Sequence, residues 1–546
     1  MNRKYSASFP KYCEWIYYLF FALMFSAKAA GLDEGNTIYS FIFVVSMILF
    51  LFKIAVTEHT IAEDIWMGLL LLLALTVYYR TGEKGLLLCI AMMLGMKDVH
   101  VKNVFRIGAL ILSVFFSINV FLSVFGLKSE LFYYQERIGM GGDFRHALGY
   151  PHPNSLQLNC FILVMLVMFL IGKKSQRRVL LASCIMIGIS LYIFLYSGSR
   201  TGLLITAFYL TVNYYLLFRS KFTKIEKVVI QLVYPACAGV CILVPFAGSQ
   251  KLIDWISGHM DTIGSRVSVA RYYFDLVPVS LFGSRIEITK DFAYGIDMGY
   301  AYLFLVLGVA AFAVFSILYI GFIYYCLKTD QRSELAVTIS IVLMGILEPF
   351  LFNLSFKNLS LIFLGQYLFV CSEQMQKKFS GKAAFLNRHV LLLAWGGWSI
   401  REQSPIGTLI ESYRNCRNRC FGFCDPAMVK RSMILFLLTV TLVSAGFFGT
   451  VKKPSAIYTD SDRGERMEIG LVPVYLSEQK AAELRKNGDI LIHYQEAEVP
   501  MYRYDGTAAY NEYLRRMISS ALWSGVAVVF MYNIFIALKK KKTDSD

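Results

Sequence analysis

Runs of about 17 to 25 largely apolar residues recur along this chain, each the length that a helix needs to cross a ~30 Å hydrocarbon layer. FIFVVSMILFLF (41–52) and ILFLLTVTLVSAGFFG (434–449) are the cores of two of them. A soluble globule could not hide so many. Composition points the same way: hydrophobic residues make up 56% of the 546, charged residues 17%, and mean hydropathy is +0.53. The fold class is therefore an all-α polytopic membrane protein. Its net charge of +16 does not imply nucleic acid, because Lys and Arg gather in the cytoplasmic loops of such proteins.

Spans are expected near 13–30, 37–56, 65–79, 85–96, 104–127, 155–172, 179–196, 201–218, 228–247, 299–327, 334–350 and 357–371, followed by a pair near 432–451 and 518–537. That is about 12 core helices and a C-terminal two-helix hairpin. The charged N-terminal stretch precedes a retained first helix, not a cleaved signal. With the N-terminus inside, the basic linkers KKSQRR (173–178), RSKFTKIEK (219–227) and KTDQR (328–332), the stretch 372–431 and the tail KKKK (538–541) all fall on the cytoplasmic side. The fourth span, GLLLCIAMMLGM, is short, but every later basic linker would change sides if it did not cross. The 11 Cys lie in or beside apolar runs or in the basic stretch, so no disulfide framework is expected.

Three segments then lie outside: 128–154, the large loop 248–298 and the segment 452–517. In the large loop, SRVSVARYYFDLVPVSLF could form a helix on the membrane surface. In 452–517, MEIGLVPVYL, SEQKAAELRKNGD and DILIHYQ read as strand, helix and strand. The expected division is a transmembrane domain over 1–371, a basic linker over 372–431, and a hairpin over 432–546 whose external domain 452–517 is separable from any catalytic centre.

Arg137, Arg145, Arg200, Arg266, Arg271 and Arg285 all come out on the external side. Two readings compete. Each can snorkel to lipid phosphate, or several can bind one phosphate-bearing ligand through their planar forks. Two carboxylates share that face. Glu348 reads as an ion-pair partner or cap and Asp297 as the N-cap of the helix that follows, or else one of the two, with Asp297 preferred, is a base for a sugar hydroxyl.

GYPHPNS (149–155), opening the sixth span, and SGSRTG (197–202), between the seventh and eighth, resemble the HPN and SRT signatures of the bacterial O-antigen polymerase and ligase superfamily. A third element is similar: a large external loop with an Arg-led helix, here at Arg266, then IDMGYAYLFLVLG with Gly308 at the family's spacing. The chain is most like the Wzy-type capsular or exopolysaccharide polymerases of Gram-positive bacteria, over roughly residues 1–375. Met298 stands where those polymerases have Asn, and GSR (283–285) where they have GxG.

The resemblance implies a metal-independent glycosyltransferase without a cofactor, working on undecaprenyl-diphosphate-linked oligosaccharide at the outer leaflet of the cytoplasmic membrane. Arg145, Arg200 and Arg266 would supply positive charge and Asp297 the base. His152, Asn154, Tyr300, Arg271 and Glu348 would shape or contact the substrate. Membrane lipid, a chain-length regulator and a flippase are the implied partners, with no nucleic acid. A ligase of the same superfamily and a lipid-linked oligosaccharide flippase are the alternatives; a flippase needs charge along a path open to both sides, whereas these candidates cluster on one. TDSD (459–462) resembles a metal-binding D-x-D but sits in polar surroundings and reads as a solvated turn. Cys416, Cys420 and Cys424 lack a fourth ligand at finger spacing.

Overall fold

The structure is a computed structural model. It describes residues 12–32, 35–128, 131–137, 141–286, 295–378, 381–393, 426–460, 472–492, 494, 500–504 and 506–543. Cys416, Cys420, Cys424 and Asp462 lie outside the described residues, as does the side chain of Arg137.

Most of the described residues are helical. In order come α1 (Tyr12–Ala29), α2 (Thr37–Ala55), α3 (Ile61–Thr81), α4 (Gly85–Leu94), α5 (Val101–Val124) and α6 (Pro153–Ile171). Then follow α7 (Gln176–Ser197), α8 (Arg200–Phe218), α9 (Lys224–Ala247), α10 (Gln250–His259), α11 (Asp261–Leu276) and α12 (Gly299–Leu305). The last are α13 (Val309–Thr329), α14 (Arg332–Met344), α15 (Ser360–Gln376), α16 (Pro426–Thr450), α17 (Glu478–Asn487) and α18 (Gly506–Thr543). Among the described residues, 10 helices are long and apolar enough to cross a membrane, which makes this a multi-pass membrane protein. The expected spans at α1, α4, α14 and α15 are helices that are shorter or, in α1, carry Glu14 and Lys28.

Two compact units share the chain. One holds residues 1–118, 157–192 and 199–400, the other 119–156, 193–198 and 401–546. This grouping differs from the linear division expected from sequence, because the segment after α5 and the end of α7 belong with the C-terminal region.

In the first unit, α3 starts with a capping box in which Thr60 and Glu63 bond each other's backbone amides. Lys97 pairs with Glu63 at that end, while Tyr302 donates to Glu83 (2.8 Å) just beyond the other end of α3. The chain from Glu83 to Lys97 therefore returns along the length of α3. The expected short fourth span is a ten-residue apolar helix followed by turns, shorter than the ten long apolar helices.

The expected tenth span, 299–327, is two helices. Gly308 has φ +94°, and a Cβ there would lie 2.2 Å from the amide nitrogen of Gly283. The segment after α11 docks into this break, where the Val309 and Ala310 amides donate to the carbonyls of Ser280 (3.1 Å) and Leu281 (3.0 Å). These are orphan donors of a helix N-terminus satisfied from another strand of chain. The surface helix expected from Ser265 onward begins earlier, at Asp261, and stops at Leu276 because residues 280–284 are needed in the break.

In the second unit, the expected external segment 128–154 contributes an antiparallel pair of strands, β1 (Phe132–Arg137) and β2 (Gly141–His146). The C-terminal region adds β3 (Ile457–Thr459), β4 (Pro473–Tyr475), β5 (Ile490–Ile492) and β6 (Pro500–Tyr504), in the order β4-β6-β3-β5 with β3 parallel to β5. The expected helix is α17, begun by a Ser477 cap and ended by a left-handed Gly488. Strand alternation then sorts the hairpin. Phe132, Tyr134 and Phe144 are buried in one core with Ile457, Ile490 and Tyr504. Described residues of the expected segments 128–154 and 452–517 thus share one core. The last helix also begins earlier than expected, at Gly506 instead of near 518.

Candidate functional site

In the second unit, Asn154 of GYPHPNS and Ser197, the first residue of SGSRTG, meet on one guanidinium. Arg145, on the hairpin face opposite the aromatic core, donates from Nε to the carbonyl of Ser197 (2.8 Å), from Nη1 to Gln135 (3.1 Å) and from Nη2 to Oδ1 of Asn154 (2.6 Å). Gly198 has φ +56°, and a Cβ there would approach the Arg145 side chain to 3.3 Å, so the bend after α7 leaves room for it. His152 accepts from the Asn154 amide through Nδ1 (3.1 Å), and its ring packs on Tyr133 at 5.2 Å. His152 is a turn residue fixing Asn154. Just before it, Leu148 and Gly149 both take positive φ (43° and 81°), an uncommon conformation for a buried leucine.

A different constellation forms in the first unit. Arg266 on α11 donates from Nε to the Leu347 carbonyl (2.6 Å), with Nη2 3.5 Å from Oε1 of Glu348 and Nε 3.8 Å from Oδ2 of Asp297. Arg266 and Glu348 are largely enclosed, at 11% and 14% side-chain exposure, whereas Asp297 is 54% exposed. Burial raises the Asp297 carboxyl above its ordinary pKa, and the Arg266 guanidinium opposes that rise. The helix that follows takes Met298 as its N-cap with no side-chain cap bond, so Asp297 does not cap it. Glu348 is the ion-pair partner that one of the two sequence readings made it.

Other expected site residues fall elsewhere. Tyr300 is fully buried; its hydroxyl donates to the Val342 carbonyl (2.7 Å) and its ring packs against Tyr234, which makes it part of the helix core and not a substrate contact. Arg271 donates to the carbonyls of Pro245 (3.0 Å) and Phe246 (3.1 Å), capping the end of α9, and pairs with Asp275. Arg200 opens α8 after an N-cap Ser199 that makes no side-chain cap bond; a cation there opposes the helix dipole. Arg285 is exposed.

Sequence reasoning passed over a buried charged group in the second unit. Glu512 bonds His146 (3.1 Å) and lies against Arg515 (3.4 Å), which in turn holds Asp143 (2.5 Å). The available signal was GGDFRH (141–146), three charged or titratable side chains in one expected external segment, beside an Arg-Arg pair at 515–516. A cavity of about 300 Å³, bordered by Glu63, Lys97, Lys102, Glu334 and Tyr367, lies at the Glu63 end of the first unit; none of the expected site residues lines it.

No family model, no curated protein and no solved structure matches this chain.

Proposed function

We propose that the chain is a polysaccharide polymerase that joins undecaprenyl-diphosphate-linked oligosaccharide repeats at the outer leaflet of the cytoplasmic membrane. A hydroxyl oxygen of the incoming unit bonds to the anomeric carbon of the growing chain. The bond from that carbon to the lipid diphosphate breaks, undecaprenyl diphosphate leaves with the electron pair, and the hydroxyl proton passes to Asp297. Diphosphate is already a competent leaving group, so the protein's task is to place positive charge where negative charge develops and to supply a base. Arg145, Arg200 and Arg266 are assigned the charge.

The observation that carries this reading is the Arg266 group. A guanidinium pinned by the Leu347 carbonyl stands beside one enclosed carboxylate, Glu348, and one accessible carboxylate, Asp297, whose proton affinity is raised. Purified protein given synthetic lipid-linked repeats tests it. A ladder of products supports a polymerase and a single addition to a different acceptor means a ligase. Transbilayer movement without a new glycosidic bond means a flippase.

A further inference from the structure

Arg515, near the start of α18, is buried with 5% exposure. Its Nε donates to the Leu195 carbonyl (2.6 Å) and its Nη2 to Oδ2 of Asp143 (2.5 Å). Leu195 and Asp143 stand two residues before Ser197 and Arg145, the pair joined by the Arg145 Nε at 2.8 Å. Two guanidiniums thus form successive rungs between the same two pieces of chain, strand β2 and the end of α7. They enter from opposite directions: Arg145 reaches out from the strand, and Arg515 reaches in from a helix far along the sequence.

The remaining contacts strengthen the lower rung. Glu512, one turn before Arg515 and 6% exposed, bonds Nε2 of His146 (3.1 Å) and also pairs with Arg515 and Arg516 (3.4 and 3.2 Å). Residues on both sides of Arg145 in the strand's outer half, Phe144 and His146, are therefore held by the C-terminal region, the first through the aromatic core and the second through Glu512. Oδ1 of Asp143 is enclosed and accepts no hydrogen bond among the described residues.

We infer that Arg515 is the positioning residue for Arg145: it sets the register between the hairpin and the end of α7, and so the direction in which the Arg145 guanidinium faces a lipid-linked diphosphate. The inference rests on the polymerase reading only for what Arg145 binds. The placement of Arg145 stands on the contacts themselves. Lys in place of Arg515 keeps the charge but cannot reach Leu195 and Asp143 together, because an ammonium is a point donor without a fork.

The test uses the full-length protein in detergent or nanodiscs, with Arg515→Lys and Asp143→Asn compared with wild type. The first readout is the rate at which phenylglyoxal, an arginine-selective dicarbonyl, modifies Arg145, followed by mass spectrometry of the 141–146 peptide. The second is hydrogen exchange of the hairpin and of residues 193–197 against the α13 peptides. The third is polymerisation, separated into kcat and KM for the lipid-linked donor. Arg515→Lys should speed Arg145 modification and hairpin exchange while α13 is unchanged, and should lower kcat by about 10- to 100-fold; Asp143→Asn should do the same more weakly. Unchanged Arg145 reactivity in folded Arg515→Lys overturns the inference, as does increased reactivity with wild-type kcat. If Arg515→Lys fails to insert, Asp143→Asn decides by the same criteria. A wild-type protein that makes no ladder defeats the polymerase reading alone, and the modification and exchange rates still decide the positioning role.

Discussion

Gly283 and Gly308 pack backbone against backbone, so closely that a Cβ on Gly308 would come within 2.2 Å of the Gly283 nitrogen and one on Gly283 within 2.1 Å of the Val306 carbonyl oxygen. Both have positive φ, +85° and +94°. The contact holds the loop after α11 in the break between α12 and α13. It thereby ties the chain leaving the Arg266 helix to the helix that follows Asp297.

Gly308→Ala should accordingly destabilise the first unit by on the order of 2 to 6 kcal/mol, combining backbone strain with forced displacement of the loop. Gly68→Ala in α3, where a Cβ meets nothing within 4 Å, should be neutral or slightly stabilising. Thermal unfolding in detergent compares the two, and an unaffected Gly308→Ala protein would remove the break's structural role.

Asp297→Asn should abolish polymer formation while donor binding persists, because the amide keeps the size and cannot take a proton. The pH profile follows from the raised pKa. A base must be deprotonated, so activity falls as pH drops through a value above that of an ordinary aspartate. Since Arg266 opposes the rise, the residual activity of Arg266→Gln should show its acid limb at still higher pH. An acid limb that shifts to lower pH in Arg266→Gln would contradict the assignment.

Lysine replacements separate fork from charge. Arg145→Lys loses two of three bonds to Ser197, Gln135 and Asn154, and turnover should fall about 100-fold. Arg266→Lys and Arg200→Lys should also impair turnover. Arg271→Lys should cost little, since an ammonium can still meet the Pro245 and Phe246 carbonyls. Normal polymer from all of the first three would return these arginines to lipid anchoring.

His59 offers a stability test at the opposite end of the first unit. Burial, then the charges of Lys97 and Lys53, push its pKa down to about 3. Below the unfolded value of ~6.5 the unfolded chain takes up a proton that the folded one refuses. Stability is then lost as pH falls from ~6.5 towards the folded value, by up to about 1.4 kcal/mol per pH unit. His59→Leu should flatten that part of the melting temperature against pH; an unchanged slope would assign the acid sensitivity to other groups.

Polymerisation should proceed in the presence of a chelator, because the diphosphate charge is assigned to arginines. Polymer lost in chelator and restored by magnesium or manganese would reverse that assignment and turn attention to Asp460 and Asp462.

Apolar run length located most of the helices, because it follows from the bilayer as solvent. The tenth span could not be divided by the same means. Its apolar run continues through Gly308, and the partner that opens it, Gly283, is 25 positions earlier in a loop. Arg145 and Asn154 were both singled out in sequence, but the bond that joins them was not. Nor was what α18 contributes, since Glu512 and Arg515 find His146 and Asp143 only after the whole chain is folded. Tyr300 shows the converse error: a motif letter suggested substrate, while an apolar neighbourhood and the Val342 carbonyl put the side chain in the core.

Arg515 and Asp143 are 372 residues apart in the chain. At about 5 to 20 residues per second of synthesis, the strand bearing Arg145 would wait roughly 20 to 70 seconds for the helix that braces it. Throughout that interval a nascent chain could have its early helices in the bilayer and yet lack an aligned arginine. Completion of α18 is therefore the step at which Arg145 acquires its brace, so on the polymerase reading an interrupted or truncated copy is expected to occupy the membrane without extending glycan.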